Sequence, residues 1–244
     1  MVKRLLRWTV AAAAVGFAAF AYLYLTLPDV RPLRKENPAT TAFMELRARE
    51  ADKAGKKPRK VQRWVSYERI SPSLRRAVIV SEDAAFFSHE GVDFDELEKS
   101  FSESWTEGKR MRGGSTITQQ LAKNLYLSPS RNPVRKIEEL LIARRLEVEL
   151  SKRRILELYL NVIEWGDGIW GAEAAARSYF KKPASALEAD ESALLAASII
   201  NPRRYSPARP SKYLLRRQDL IRRRMGDVEP PAPAVVPGGP GGLP

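Results

Sequence analysis

Residues 113–127 read GGSTITQQLAKNLYL. Two glycines form a flexible turn, and hydroxyl and amide side chains follow it closely: Ser115, Thr116, Thr118, Gln119 and Gln120. A polar row of this kind suits a ligand with many hydroxyl groups, such as a sugar, although a polar first turn of a helix explains it equally well. The stretch is not a phosphate-binding P-loop, because the spacing Gly-x-x-x-x-Gly-Lys-Ser/Thr is missing.

Positive charge lies within the second half of this stretch and beyond it. Four cations lie around the turn SPSRNP and at the start of a predicted helix over 135–150: Lys123, Arg131, Arg135 and Lys136. Cations at the start of a helix oppose the partial positive charge of its free N–H groups. A bound anion at the same place would explain their position.

Two glutamates in the predicted helix have different neighbours. Glu139 falls on an apolar row formed by positions 139, 143, 146 and 150, whereas Glu138 falls on a more polar row formed by 138, 142, 145 and 149. Glu139 is therefore expected to face the core or a cleft, where a carboxylate needs a partner, a ligand or a chemical role. Pairing with an arginine is the structural alternative.

Upstream, a second acidic segment reads SEDAAFFSHEGVDF over residues 81–94. Glu82 and Asp83 follow the apolar run AVIV, and AVIVSE is the clearest strand-like pattern in the chain. A carboxylate beside apolar residues is a good proton acceptor. Acidic pairs after apolar runs are more often helix caps or salt-bridge partners, so the pattern alone does not decide between the two.

Helical patterns surround these segments. One apolar row predicts a helix with a core-facing or a membrane-facing stripe: Phe94, Leu97, Phe101 and Trp105. Further helices are predicted at 41–54, after the N-cap Ser151, and in ALEADESALLAASII, which ends before Asn201-Pro202. The chain is therefore predicted to be mainly α-helical.

The composition limits the classes of function. The 244 residues include no Cys and one His, His89, which leaves no disulfide framework, no thiolate metal site and too few ligands for a typical His-based zinc site. The formal net charge of +13 indicates polyanionic partners, such as nucleic acid, anionic lipid or a phosphorylated substrate. Generic solubility is the alternative explanation of the charge.

The N-terminal region contains an uncharged run over residues 8–28. A helix of this length spans roughly 30 Å of hydrocarbon. Three basic residues precede the run, which places the N-terminus in the cytoplasm and the rest outside. A cleaved signal peptide is the alternative, although the run is long for a signal core and lacks a small-x-small cleavage site. Export argues against nucleic acid as the partner and favours the membrane.

Composition also divides the chain. The predicted parts are a cytoplasmic N-terminus at 1–7, a transmembrane anchor at 8–28, a juxtamembrane stalk at 29–63, a globular domain at 64–225 and a disordered Pro/Gly-rich tail at 226–244.

Five segments, taken in order, resemble glycosyltransferase family fifty-one, the peptidoglycan polymerase domain that also occurs in bifunctional penicillin-binding proteins. The blocks are Glu82-Asp83-x-x-Phe86-x-x-His89-x-Gly91, Gly114-Ser115-Thr116-Ile117-Thr118-Gln119-Gln120, Arg135-Lys136-x-x-Glu139, Lys152-x-x-Ile155-Leu156-x-x-Tyr159-Leu160-Asn161 and Gly168-x-x-Gly171-x-x-Ala174-Ala175. Each block alone is weak, but five in order are specific, and they extend over residues 66–208. Since no second catalytic pattern follows them, the resemblance is to the monofunctional form of the family.

The resemblance implies a lysozyme-like helical domain with a cleft. It implies that Glu82 is the catalytic base and Glu139 a second carboxylate. No tightly bound cofactor is implied, and it stays open whether a divalent cation, Mg²⁺ or Mn²⁺, binds through Glu139. Substrate-binding roles are implied for a further set: Asp83, Ser115, Thr116, Gln119, Gln120, Lys123, Arg131 and Lys136.

The implied reaction is polymerisation of lipid II into β-1,4 glycan strands during cell-wall biogenesis, with inversion and release of undecaprenyl pyrophosphate. The implied partners are lipid II, the growing lipid-linked glycan, the membrane and other cell-wall synthesis or division proteins. The implied location is the bacterial inner membrane, with a single-pass anchor and a periplasmic catalytic domain. Two alternatives remain: a lytic enzyme that cuts the same glycan, and a basic membrane-tethered scaffold without activity.

Overall fold

The computed structural model describes residues 2–96, 98, 102, 114–129 and 132–226, and this part of the chain is mainly helical. The α-helices are α1 Val2–Leu25, α2 Ala42–Lys53, α3 Pro72–Glu82, α4 Ile117–Tyr126, α5 Pro133–Glu149, α6 Lys152–Val162, α7 Ala172–Phe180, α8 Ala189–Ser198 and α9 Lys212–Arg224. Short 3₁₀ helices occur at Arg31–Arg34, Tyr67–Arg69 and Ala184–Ala186.

A small sheet lies beside the helices. Its strands are β1 Val61–Gln62, β2 Glu164–Gly166 and β3 Ile169–Trp170, in the order β1-β3-β2. The pair β1–β3 is parallel, and the pair β2–β3 is antiparallel with a register shift between Glu164 and Gly166. The sheet therefore joins the segment before α3 to the hairpin after α6.

Helix α6 runs through the centre of the core. Leu158, Tyr159 and Leu160 are all fully buried although they are consecutive, so packed groups surround this helix on every side. Gly171, the residue before α7, approaches this helix closely: it has φ +82°, and a Cβ atom there would lie 2.7 Å from the carbonyl oxygen of Asn161. Only glycine fits this position without strain, because both the dihedral angle and the space exclude a side chain.

Several predicted helices are confirmed. The helix predicted at 135–150 is α5, and its row 139, 143, 146 and 150 is buried as expected. Ser151 caps α6 by accepting a hydrogen bond from the backbone N–H of Arg154. The helix predicted at 41–54 is α2, and the one ending before Asn201 is α8.

The strand-like interpretation of AVIVSE is wrong, because these residues form the last two turns of α3. Ser71 caps the helix by accepting from the N–H of Ser73, and Pro72 suits its first position. Residues 77–80 are all buried, so the apolar run shows no helical period and cannot be distinguished from a buried strand by pattern alone. In the predicted helix that begins near Phe94, residues Leu97, Phe101 and Trp105 lie outside the described residues, and Phe94 is exposed.

Helix α1 is exposed and is long and apolar enough to cross a membrane, a property that a signal sequence shares. Its end is bound to α5 through Arg145, which donates to the carbonyl oxygen of Tyr24 at 2.7 Å and to that of Leu27 at 3.3 Å. The same guanidinium lies 4.5 Å from the centre of the Tyr24 ring. A cation at this end of a helix also complements the helix dipole.

The segment 29–63, predicted as a stalk, contacts the rest of the domain at several points. Val30 and Leu33 are buried in the main core, and Arg34 forms an ion pair with Glu149. Arg47 on α2 donates to Glu164 at 3.0 Å. The boundary at residue 64 stays a prediction, but these contacts pack much of the preceding segment against the helices that follow.

Leu146 and Val148 on α5 allow a matched test of this core. Leu146 is fully buried, whereas Val148 is 65% exposed. Leu146→Ala is expected to lower the free energy of unfolding by about 2–5 kcal/mol, because it removes buried atoms and leaves a cavity. Val148→Ala should change it by about 0.5 kcal/mol or less. Chemical denaturation followed by circular dichroism measures both, and equal small changes would contradict the core placement of Leu146.

Candidate functional site

Glu82 lies at the end of α3, where side chains from two other helices meet it. Gln120 on α4 donates from Nε2 to Glu82 Oε2 at 3.0 Å. The other end of the same amide, Gln120 Oε1, accepts a hydrogen bond of 2.9 Å from the hydroxyl of Tyr159 on α6. Burial raises the pKa of Tyr159 well above its ordinary value, and the negative charges of Glu82 and Asp83 raise it further, so this hydroxyl remains a donor.

The second oxygen of Glu82 faces different groups. Ser81 Oγ donates to Glu82 Oε1 at 3.0 Å, and Arg217 on α9 lies 3.7 Å from the same oxygen. Arg217 also donates to Ser81 Oγ at 3.3 Å. Each carboxylate oxygen therefore has a donor, and the Glu82 side chain is held in one orientation while remaining partly accessible.

Asp83 is buried, and other groups of the protein hydrogen-bond its carboxylate. Its Oδ2 accepts from the backbone N–H of Ile117 at 2.9 Å, at the first turn of α4, and its Oδ1 lies 2.9 Å from His89 Nε2. The other ring nitrogen, Nδ1, accepts from the N–H of Gly91 at 3.1 Å, so the proton of a neutral ring lies on Nε2 and points to Asp83. These contacts give Asp83 a structural task; its predicted contact with substrate stays a prediction.

Thr116 and Gln119 share one backbone acceptor. The Thr116 hydroxyl donates to the carbonyl oxygen of Gly91 at 2.7 Å and accepts from the Gln119 N–H as the N-cap of α4. Gln119 Nε2 donates to the same carbonyl oxygen at 3.2 Å. The polar first turn of α4 is thus largely used to hold the Gly91 loop, which is the structural alternative that the sequence left open.

A cationic group lies at the start of α5. Lys136 Nζ donates to Gln119 Oε1 at 2.9 Å and lies 3.4 Å from Ser115 Oγ. Glu139 is buried and accepts from Lys136 through Oε1 and from Arg135 through Oε2, the latter at 2.7 Å. The arginine pairing considered from the sequence is therefore present, and the carboxylate holds two cations side by side.

Lys123 on α4 interacts electrostatically with both Glu82 and Glu139. Burial lowers the pKa of Lys123 below its ordinary value, and the charges of Arg135 and Lys136 lower it further. Glu139 and Glu82 act in the opposite direction. An anion bound beside Lys123 would favour its charged form. Arg131 lies outside the described residues, so its place in this cationic group stays a prediction.

Gln120 and Ser115 connect the two parts of the site. Gln120 Nε2 lies 3.4 Å from the Ser115 carbonyl oxygen, while the Ser115 hydroxyl faces Lys136. A continuous set of polar contacts therefore extends from Glu82 to Glu139. The structure brings together six predicted residues in it: Glu82, Ser115, Gln119, Gln120, Lys136 and Glu139.

Two candidate cation positions, Glu139 and the group Asp83, His89 and Asp93, do not fit a divalent cation as their side chains are hydrogen-bonded in this structure. Both oxygens of Glu139 are bound by Arg135 and Lys136, and the surrounding charge is positive. Asp83, His89 and Asp93 bring ligand atoms within 4.8 Å of one another, but neither nitrogen of His89 offers a free lone pair in the hydrogen-bonded arrangement above. No step of the chemistry is therefore assigned to a metal.

Sequence reasoning missed Arg217 and the contact made by Tyr159. Leu214 and Ile221 are buried on α9, and Arg217 lies on the same helical row at i+3 from the first, so its inward position could have been read from the pattern. The sequence pattern could not identify Glu82 as the partner of Arg217, because Glu82 lies more than a hundred residues earlier in the chain.

This arrangement combines a held carboxylate with a cationic surface a short distance away. A carboxylate can accept a proton from a hydroxyl group, and adjacent cations can stabilise a phosphate leaving group without protonating it. The combination suits transfer of a group from a phosphorylated donor to an alcohol.

Comparisons with known proteins identify the family of the chain. A family model described as Transglycosylase matches residues 50–226. The chain is similar to the biosynthetic peptidoglycan transglycosylase of Laribacter hongkongensis, with 46% identity over 93% of this chain and 100% of the relative. The protein of the same description from Chromobacterium violaceum is 46% identical over 90% of this chain and 96% of its own length, and that from Thiobacillus denitrificans is 49% identical over 80% and 84%.

The chain therefore belongs to the transglycosylase family, and its mainly helical fold is the lysozyme-like domain of that family. Its activity follows from the family and from these relatives: it is a peptidoglycan glycosyltransferase.

The structural task of Asp83 leads to a prediction about stability. Asp83→Ala should lower the free energy of unfolding by about 1–3 kcal/mol, because the buried Ile117 N–H loses its acceptor and His89 loses its partner. Asp95→Ala, at an exposed carboxylate nearby, is the matched control and should have little effect. Chemical denaturation compares the two variants. Unchanged stability together with weakened substrate binding in Asp83→Ala would show that this carboxylate serves the substrate instead.

Proposed function

We propose that this glycosyltransferase polymerises lipid II into β-1,4 glycan strands and releases undecaprenyl pyrophosphate. The observation that supports this most strongly is the continuous polar arrangement from Glu82, through Gln120 and Ser115, to the cations at the start of α5. It offers a proton acceptor for an attacking sugar hydroxyl and positive charge for a departing pyrophosphate within one site.

In this proposal Glu82 is the general base. The 4-hydroxyl of one sugar attacks the anomeric carbon of the other, its proton passes to Glu82, and the bond from the anomeric carbon to the pyrophosphate oxygen breaks. A single displacement converts an α-linked donor into a β-1,4 product. Gln120 and Ser81 hold the carboxylate during this step, since they donate to its two oxygens at 3.0 Å each.

The leaving group is assigned to Lys123, Arg131 and Lys136, with Arg135 beside them. A pyrophosphate leaves with its negative charge and needs no proton, so cations serve it better than an acid. The pKa of Lys123 is lowered first by burial and then by the charges of Arg135 and Lys136, so an anion bound beside these cations would stabilise the charged form of Lys123. Ser115, Gln119 and Gln120 are proposed to contact the donor near this position, with Asp83 and Thr116 behind them.

The apolar helix α1 is proposed as a single-pass anchor in the bacterial inner membrane, with the catalytic domain on the periplasmic side. Its cation-rich start supports this orientation. A lipid-linked substrate lies in the same membrane, which makes an anchor at this end of the protein useful. The alternative, a cleaved signal, predicts a mature chain that begins near residue 29. Other cell-wall synthesis or division proteins are proposed partners, and nucleic acid is not.

A lytic enzyme acting on finished glycan is the second candidate class. Such an enzyme must protonate a neutral sugar leaving group and therefore needs a carboxylic acid at that position. The cationic group around Lys136 favours a phosphorylated leaving group instead. The scaffold alternative no longer applies, since the relatives are described as transglycosylases.

The assay that tests the proposal uses the purified full chain with a lipid-linked disaccharide precursor. Formation of long glycan is expected, and shortening of ready-made glycan without synthesis would favour the lytic alternative. Glu82→Gln should reduce the polymerisation rate by about 10²–10⁴-fold with unchanged thermal melting, because the amide has nearly the same shape but cannot accept a proton. Retention of about half of the wild-type rate would remove Glu82 from the role of base.

Glu139 and Glu138 provide a matched comparison on one helix. Glu139→Gln should reduce turnover strongly, because Arg135 and Lys136 lose the carboxylate that holds them together at the phosphate position. Glu138→Gln should change the rate little, since a partly exposed surface charge contributes about 0.5 kcal/mol or less. Initial polymerisation rates of both variants are measured with thermal melting as the folding control. Small, equal effects would leave Glu139 without a role in turnover.

A further inference from the structure

Tyr159 is a buried residue whose hydroxyl group points into the site rather than merely filling the core. It is fully buried on the central helix α6. Its hydroxyl donates to Gln120 Oε1 at 2.9 Å, and Gln120 Nε2 donates in turn to Glu82 Oε2 at 3.0 Å. A chain of two hydrogen bonds therefore connects the centre of the core to the carboxylate at the end of α3.

The orientation of the Gln120 amide matters because its two ends have opposite character. With Nε2 toward Glu82, the amide donates to an ionised carboxylate; with Oε1 toward Glu82, it can accept only from a protonated carboxyl group. A donor fixed behind the amide, at Oε1, favours the first orientation. Tyr159 is such a donor, since its burial keeps the hydroxyl protonated.

We propose that Tyr159 is a positioning residue that fixes the Gln120 amide and thereby holds Glu82 in its proton-accepting form. This inference rests on the proposed role of Glu82 as the base. Tyr159 touches neither substrate nor reacting atoms in this assignment; it acts through Gln120.

Other groups also face Glu82 and set the background for this effect. Ser81 on the same helix donates to Oε1, and Arg217 from α9 lies 3.7 Å from that oxygen. From α4, the charge of Lys123 interacts favourably with Glu82. Asp83 is the adjacent acidic residue in the sequence. None of these groups contacts Gln120 Oε1. The Ser115 carbonyl oxygen, 3.4 Å from Gln120 Nε2, favours the same orientation of the amide through a longer contact, so Tyr159→Phe removes the shorter of these two contacts.

The test is the pH dependence of kcat/KM for the full chain acting on a lipid-linked disaccharide precursor. Tyr159→Phe removes only the hydroxyl, the amide can then turn, and a protonated Glu82 gains an acceptor. The acidic limb of the profile should therefore move to higher pH by about half to one unit, the size expected for one hydrogen bond. At pH values above that limb the rate should approach that of the wild type.

Tyr179→Phe is the matched control, because it removes a tyrosine hydroxyl that donates to the Trp165 carbonyl oxygen at 3.1 Å and that makes no contact with Glu82. Its acidic limb should stay in place. An unmoved limb in a folded Tyr159→Phe protein, or an equal shift in Tyr179→Phe, would overturn the proposal. If Tyr159→Phe does not fold, Gln120→Met replaces it: loss of the amide donor should move the limb in the same direction, and an unmoved limb is again decisive against the relay.

The outcome for Glu82→Gln separates this inference from the proposed function. High residual activity in Glu82→Gln removes the base itself, whatever the tyrosine variants do. Loss of activity in Glu82→Gln together with an unmoved limb in Tyr159→Phe leaves the base in place and rejects only the role of Tyr159.

Discussion

The hydrogen bond between Asp83 and the N–H of Ile117 joins the end of α3 to the start of α4. Glu82 is the residue before Asp83, and Gln120 lies one turn into α4, so the contact between these two side chains depends on that junction. The same carboxylate holds His89, whose ring orders the Gly91 loop, and this loop in turn accepts from Thr116 and Gln119. One buried carboxylate thus determines where two polar side chains of the site can lie.

In the cationic part of the site, like charges that repel one another are held close together. Arg135 and Lys136 are adjacent in sequence at the start of α5, where the helix dipole is also unfavourable to them. Glu139 lies one turn later and accepts from both, so a single buried carboxylate offsets part of the repulsion. Burial lowers the pKa of the nearby Lys123, and the charges of Arg135 and Lys136 lower it further, whereas Glu139 raises it. A surface with residual positive charge favours a negatively charged ligand.

Local patterns predicted the features that depend on local geometry. The cap at Ser151 and the buried row that contains Glu139 follow from helical periodicity and short-range hydrogen bonding, and both are present. Helix α3 cannot be distinguished from a buried strand by its sequence pattern, because residues 77–80 are all buried and show no helical period. The contacts of Tyr159 with Gln120 and of Arg217 with Glu82 could not be predicted from the sequence. They join segments that are distant in sequence, and the pattern of one segment does not indicate its partner in the other.

The position of α6 explains why a core residue can influence the site at all. Its consecutive residues Leu158, Tyr159 and Leu160 are packed on every side, and a tyrosine there cannot leave its hydroxyl unpaired without a large free-energy cost. The nearest solution in this fold is an amide on α4, and an amide bound at one end has its other end oriented as well. Because that second end meets Glu82, the requirement to satisfy one buried hydroxyl becomes a constraint on the carboxylate. Packing of the core and orientation of the proposed base therefore both depend on the side chain of Gln120, which contacts Tyr159 at one end and Glu82 at the other.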